Sequence, residues 1–266
     1  MSRFVNRFKH EVSRVLIRPL YRRLMGKVPL GSTRYDPRIP TRRAKAILRR
    51  HGLGYDENGT PSWWYQAFDG RNSADQLTQF EFDWIEEHVP KDGSILVSGC
   101  GVGLTTIWLN QQGFESVSGF DYLPEVLACA VEIAAITDTP ISYWQADGFN
   151  PQLTDRYDCI TAMHWVYSAW MGNYDNPIET REDHQAVLED FLRDYVDALK
   201  PRGSMLLELV DGLLDYAVPE FKAYPIRLTV EQVRSAATNV GLELEKVVSN
   251  PLGNRPIVVL YILRRP

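Results

Sequence analysis

Over the last two thirds of the chain, short apolar runs alternate with amphipathic stretches. The runs predict strands near Ser94–Ser98, Ser116–Asp121, Ile141–Ala146, Tyr157–Met163, Ser204–Val210, Leu242–Val248 and Ile257–Leu263. Spacing of three and four between apolar positions predicts helices near Leu104–Gln112, Pro124–Ile136, Asp183–Lys200 and Thr229–Val240. Such alternation implies parallel strands with helices on both faces. The final pair is separated by Asn250-Pro251-Leu252-Gly253-Asn254 and no helix, so it is expected to form an antiparallel hairpin. Upstream, Ser73 opens a predicted helix to His88, and a short helix is expected over Thr41–His51. Between them stands an aromatic segment, Ser62-Trp63-Trp64-Tyr65-Gln66-Ala67-Phe68. At the start, Phe4, Val5, Phe8, Val12, Leu16, Leu20 and Leu24 recur largely at spacing four, an amphipathic helix interrupted near Pro19.

Composition narrows the class. At 266 residues, 44% hydrophobic and 24% charged, the chain has ample material for a packed core, which excludes a disordered or fibrous protein. Three cysteines and no recognisable secretory signal suggest a reducing compartment, and a cytoplasmic location is expected. No apolar run reaches about 18 residues, the length a membrane-spanning helix needs. Charge is unevenly divided: residues 1–50 carry 15 Lys/Arg against two acids, +13, whereas the remainder nets −18. Residues 1–25 could therefore touch a membrane surface or nucleic acid, or dock their apolar stripe on the protein. Docking is favoured, because Glu11 interrupts the charge and no extended basic tract exists. An organelle transit peptide is a further reading of the same segment.

The most informative stretch is Ile95-Leu96-Val97-Ser98-Gly99-Cys100-Gly101-Val102-Gly103, an apolar strand entering three glycines and then a helix. Glycines allow a tight turn and close approach by a ligand, and the helix start offers free N–H groups. Eighteen residues after Gly103, at the end of the next strand, Asp121 can accept hydrogen bonds from both hydroxyls of a ribose. The third strand ends at Ala146-Asp147-Gly148-Phe149, where a carboxylate can receive an adenine amino group beside an aromatic wall. Each acid alone could be a cap or a loop residue; three successive strand ends point together to an adenosine-containing ligand. A dinucleotide is disfavoured because Leu104 breaks the Gly-x-Gly-x-x-Gly spacing.

These residues, with Tyr157-Asp158-Cys159-Ile160 and Leu199-Lys200-Pro201-Arg202-Gly203, resemble the class I S-adenosylmethionine-dependent methyltransferases over about residues 93–266. The resemblance implies an α/β, Rossmann-like fold with a seven-stranded sheet of order 3-2-1-4-5-7-6, its last strand antiparallel. It implies two regions, a basic helical lid over residues 1–90 and an S-adenosylmethionine-binding domain over 91–266. The implied cofactor set is Gly99, Gly101 and Gly103 at the methionine part, Asp121 and Tyr122 at ribose, Asp147, Gly148 and Phe149 at adenine, and Met163. Tyr65 and Arg71 join it from the N-terminal region, Arg71 either as a bidentate carboxylate ligand or as a surface charge. Where the family usually carries an acid two residues before the first glycine, this chain has Val97.

Methyl transfer is an in-line displacement that relies on positioning and desolvation. His164, directly after Met163, is the candidate base, with Tyr167 and Tyr174 as orienting groups; each could equally be a wall residue. The aromatic set Trp63, Trp64, Tyr65, Phe68, Trp144, Trp165 and Trp170 could stabilise a cation or simply pack. No metal is expected. The first expectation is methylation of an O or N atom of a small molecule. The alternative, motivated by Val97, is a reaction in which S-adenosylmethionine is itself the substrate, by cyclisation to azetidine-2-carboxylate, lysis or aminocarboxypropyl transfer. A nucleic-acid substrate is disfavoured by the acidic body and by the lack of an Asn-Pro-Pro-Tyr-type sequence after the fourth strand.

Overall fold

The computed structural model describes residues 37–68, 76–163, 165–166, 184–210, 228–250 and 258–266. Seven strands form one sheet: β1 (Ser94–Ser98), β2 (Ser116–Asp121), β3 (Ser142–Gln145), β4 (Tyr157–Ala162), β5 (Leu199–Val210), β6 (Glu243–Asn250) and β7 (Val258–Arg264). Their order is β3-β2-β1-β4-β5-β7-β6. The first five are mutually parallel, and β7 runs antiparallel between β5 and β6. Both the order and the terminal hairpin agree with the sequence expectation. The described helices are α1 (Thr41–Arg50), α2 (Trp63–Ala67), α3 (Gln76–His88), α4 (Leu104–Gln111), α5 (Pro124–Ile136), α6 (His184–Val196) and α7 (Val230–Asn239).

The core has a layer on each side of the sheet. On one face Phe191, Leu192 and Tyr195 of α6, with Val233 and Ala237 of α7, pack on Leu96, Ile160, Leu207 and Tyr261. On the other, Phe82 and Ile85 of α3 and Trp108 of α4 cover Ile95, Val97, Cys159 and Leu206. Alternation along β1 sends Leu96 to the first layer and Val97 to the second. Next to that second layer, Ala44, Ile47 and Leu48 of α1 pack on Val126, Cys129 and Ile133 of α5. Thus the described end of the basic N-terminal region docks an apolar stripe on the body and leaves Arg42, Arg43, Arg49 and Arg50 exposed. The amphipathic stretch Phe4–Met25 lies outside the described residues. Among the described residues, no helix is long and apolar enough to cross a membrane.

Local chemistry explains the boundaries. Pro124 sits in the first turn of α5, and Thr229 opens α7 through a capping box with Gln232. One expectation needs correction: the helix predicted over Asp183–Lys200 ends at Val196, and Leu199 already begins β5. Leu199 pairs with Tyr157 across the sheet, and Pro201 could not have continued the helical ladder. Apolar residues at 195, 196, 198 and 199 fit either period, so the pattern alone could not place the break.

The three central strands are tied together at their amino ends by Asp158. Its Oδ2 accepts from the Ser94 N–H at 2.7 Å, the Ser94 hydroxyl at 3.0 Å and Lys200 Nζ at 2.7 Å. Burial alone would raise this carboxyl, but donation from Lys200 and Ser94 outweighs it and holds the group below the ordinary aspartate range. A depressed pKa contributes stability that is present above the ordinary value and is lost as pH falls through the depressed one. Asp158→Ala is therefore expected to cost about 1–3 kcal/mol in urea unfolding at neutral pH. The difference from wild type should shrink as the solution is made acidic; an equal gap at all pH would contradict this reading.

Candidate functional site

The turn after β1 is shaped by backbone conformation. Gly99, Gly101 and Gly103 have φ of 65°, 56° and 83°, the left-handed region that L side chains rarely adopt. Space forbids a side chain as well. A Cβ at Gly99 would lie 2.3 Å from Trp165 Cδ1, and one at Gly101 would lie 2.6 Å from Trp64 Cζ3. At Gly103 it would meet the Tyr143 hydroxyl at 2.5 Å. The loop is therefore a strip of bare backbone flanked by aromatic rings, and it leads into α4, whose N-cap, Gly103, makes no side-chain capping bond. First-turn N–H groups of such a helix suit an anionic or acceptor group.

Asp121, the last residue of β2, faces this loop. Its Oδ2 accepts the Gly101 N–H at 2.9 Å and its Oδ1 accepts the Leu123 N–H at 3.0 Å. Desolvation raises its pKa, partly offset by donation from the N–H groups of Leu123, Gly101 and Tyr122. Each oxygen retains a lone pair for a further donor, so the carboxylate is oriented by backbone and still able to hold paired hydroxyls. A second tie joins the same elements: the Cys100 N–H donates to the Phe120 carbonyl at 2.8 Å.

The third strand end is held from below. Asp147 is exposed and accepts the Phe149 N–H at 2.9 Å, closing a turn around buried Gly148. From α6 the fully buried Tyr195 hydroxyl donates to the Gly148 carbonyl at 2.7 Å and lies 2.8 Å from Ser98 Oγ. Because the phenol proton goes to Gly148, the Ser98 hydroxyl must donate to the phenol oxygen. Burial raises the Tyr195 pKa, keeping it a donor. An analogous pair stands under Gly103, where the Tyr143 hydroxyl lies 2.5 Å from Thr106 Oγ1, itself 2.9 Å from the Gly103 carbonyl.

The structure brings Gly99, Gly101, Gly103, Asp121, Asp147, Gly148 and Phe149 to one edge of the sheet. Tyr122 projects from it, 52% exposed, and Met163 is buried immediately after β4. The aromatic partner of Gly101 is Trp64, whereas its neighbour Tyr65 packs on Tyr55 with ring centres 5.1 Å apart and planes tilted by 39°, and the Lys45 ammonium lies over it, 4.4 Å from the ring centre. Arg71, His164, Tyr167, Tyr174 and Trp170 lie outside the described residues. Trp165 spans the edge: its pyrrole side packs on Gly99, and a Cβ at Gly148 would lie 2.2 Å from its Cη2. Phe149 and Phe191 meet its ring edge-on at 5.6 and 6.0 Å. Its Nε1 is buried and finds no hydrogen-bond partner among the described residues, an omission worth about 1–3 kcal/mol. Sequence reasoning placed Trp165 in the aromatic set and at the site-lining end of the fourth strand without a role of its own, and missed Tyr195, which reads as an ordinary apolar position four residues after Phe191. Among the described residues no three His, Cys, Asp or Glu side chains cluster as metal ligands.

Comparison with known proteins identifies the family. A family model described as a methyltransferase domain covers residues 63–245. EEF1A lysine methyltransferase 2 of Homo sapiens is 26% identical over 181 residues, 66% of this chain and 70% of that protein. The Mus musculus protein of the same name is 27% identical over 166 residues, 59% of this chain and 64% of that one. A putative methyltransferase, YqeM of Bacillus subtilis, is 30% identical over 131 residues, 47% of this chain. This chain thus spans just under two thirds of the mouse protein and 46% of the bacterial one. Among solved structures, magnesium protoporphyrin IX methyltransferase from Synechocystis PCC 6803 with bound SAH (S-adenosylhomocysteine) superposes with a TM-score of 0.57 at 15% identity, covering 83% of this chain and 94% of that one. An S-adenosylmethionine-dependent methyltransferase from Clostridium acetobutylicum gives 0.57 at 14%, covering 75% and 96%. At such identities these two likenesses speak for the fold.

Tyr195→Phe is expected to lower stability by about 1–3 kcal/mol, since it strands the Ser98 hydroxyl and the Gly148 carbonyl in a dry interior. A denaturation midpoint unchanged from wild type would show that the relay does not hold the edge together.

Proposed function

The chain belongs to the class I S-adenosylmethionine-dependent methyltransferase family, and within it we propose that this protein methylates an oxygen or nitrogen atom of a small-molecule acceptor. The observation that carries the methyl-donor part of the reading is the Asp121 carboxylate, fixed by the Gly101 and Leu123 N–H groups while keeping acceptor capacity on both oxygens. On this reading Asp121 holds the ribose hydroxyls, Asp147 the adenine amino group, and the bare backbone of Gly99–Gly103 the methionine part. The bound donor supplies an electrophilic methyl carbon: the acceptor's lone pair forms the new bond as the carbon–sulfur bond breaks, leaving S-adenosylhomocysteine. His164 takes the acceptor's proton, with Tyr167 and Tyr174 orienting the acceptor. Residues 1–90 act as a cover, and Trp64 against Gly101 is their described contact with the glycine loop.

A lysine side chain is the competing acceptor, favoured by the activity for which the mammalian relatives are named. Enzyme incubated with methyl-labelled S-adenosylmethionine and the low-molecular-mass fraction of a cell extract should label a small molecule and release S-adenosylhomocysteine. Label confined to the protein fraction would replace this proposal with lysine methylation. Catalytic release of methylthioadenosine without any acceptor would replace it with cyclisation or lysis of the donor.

Asp121→Asn is expected to weaken S-adenosylhomocysteine binding in calorimetry roughly 10- to 100-fold, because charge-assisted bonds are lost and an amide donor is turned toward a backbone N–H. The pH dependence has a definite sign. Only the ionised carboxylate accepts from both hydroxyls, so wild-type affinity should fall on acidification. The fall should begin above the ordinary aspartate range, as the raised pKa requires, and the Asn variant should lack it.

A further inference from the structure

We propose that Trp165 binds the carboxylate of the methionyl arm of S-adenosylmethionine through its indole N–H; the inference rests on the cofactor assignment above. Trp165 lies along the site with a defined polarity. Its benzo end packs on Gly148, beside the Asp147 turn, and its pyrrole end packs on Gly99. With adenine at Asp147 and ribose at Asp121, the pyrrole end is where the methionyl arm leaves the ribose. The Nε1 atom would stand 2.7 Å from a Cβ at Gly99, close against the loop, and it is a buried donor left unmatched among the described residues, as is the Thr161 hydroxyl across from Val97.

The chemistry of the arm selects the acceptor. Its ammonium is a donor only, and its sulfonium carries positive charge and accepts nothing. The two carboxylate oxygens are the acceptors at that end of the molecule. The adjoining strand end offers the anion no competition. Val97 is apolar and 5% exposed, and Ser98 is 1% exposed with its proton committed to Tyr195. The side chain that a carboxylate would have to avoid, an acid at the end of β1, is missing. Glycine at 99 and 148 is also what allows the indole to lie against both turns at all. The N–H acts in binding and orientation, leaving the proton of the acceptor to other groups.

The test is a set of three ligands measured by calorimetry on the full chain: S-adenosylhomocysteine, its decarboxylated analogue, which keeps the amine, and methylthioadenosine, which lacks the amine and the carboxylate. Wild type should lose roughly 10- to 100-fold in affinity on decarboxylation, the worth of a hydrogen bond to a charged acceptor. Trp165→Phe should bind S-adenosylhomocysteine weaker by the same factor, yet bind the decarboxylated analogue and methylthioadenosine within about threefold of wild type. If Trp165→Phe does not fold, benzothienylalanine introduced at position 165 removes the N–H while preserving the ring and should give the same pattern. A variant that weakens all three ligands equally, or none, overturns the assignment. Absence of S-adenosylhomocysteine binding by wild type would instead overturn the cofactor reading beneath it.

Discussion

The hydrogen bond from the Gly101 N–H to the Asp121 carboxylate organises the whole carboxyl edge. It joins the ends of neighbouring parallel strands, and it can form only because the loop backbone turns through left-handed conformations. The same bond fixes one carboxylate oxygen in orientation while Leu123 fixes the other. Burying that charge is unfavourable, as its raised pKa records; backbone donors offset part of the cost, and a ligand with paired hydroxyls would offset more. A carboxylate held in this way is a binding device before it is anything else.

Beneath the edge, two buried phenols do for the loop what backbone pairing does for the strands. Tyr195 links Ser98 to the turn after β3, and Tyr143 reaches Thr106 under Gly103. Both are raised in pKa by burial and so remain protonated; Tyr195 donates to the Gly148 carbonyl, while Thr106 donates to the Gly103 carbonyl and so accepts from Tyr143. Above the edge the contacts are of another kind. Trp64 and Trp165 lie against glycines with no Cβ between. Polar ties below and aromatic surfaces above combine fixed polar groups with broad apolar faces at one edge, the combination that suits a nucleoside with a charged tail.

Much of this was legible in the residue order. β1, β2 and α5 match their expected limits because each is bounded by decisive chemistry: Gly99 after β1, Asp121 at the end of β2, Pro124 at the start of α5. Gly-x-Gly-x-Gly and the two strand-end acids were readable for the same reason, since few residue types can occupy those positions. Elsewhere the pattern was degenerate. Leu199 and Lys200 extend a helical period as readily as they begin a strand, and only pairing with Tyr157 decides. Tyr195 carried no local signal, because its partners, Ser98 and Gly148, stand 97 and 47 residues away. The span of Trp165 from Gly99 to Gly148 was illegible for a similar reason: sequence lists an aromatic residue but not the two gaps it fills.

The central claim is that a nucleoside is gripped at this edge by the acid closing β2. A crystal structure of the protein grown with S-adenosylhomocysteine examines it directly. Both ribose hydroxyls should lie within hydrogen-bonding distance of the Asp121 carboxylate, whose bonds to Gly101 and Leu123 should persist. Density for the nucleoside elsewhere, or an edge filled by side chains with Asp121 turned away from the ligand, would contradict the account.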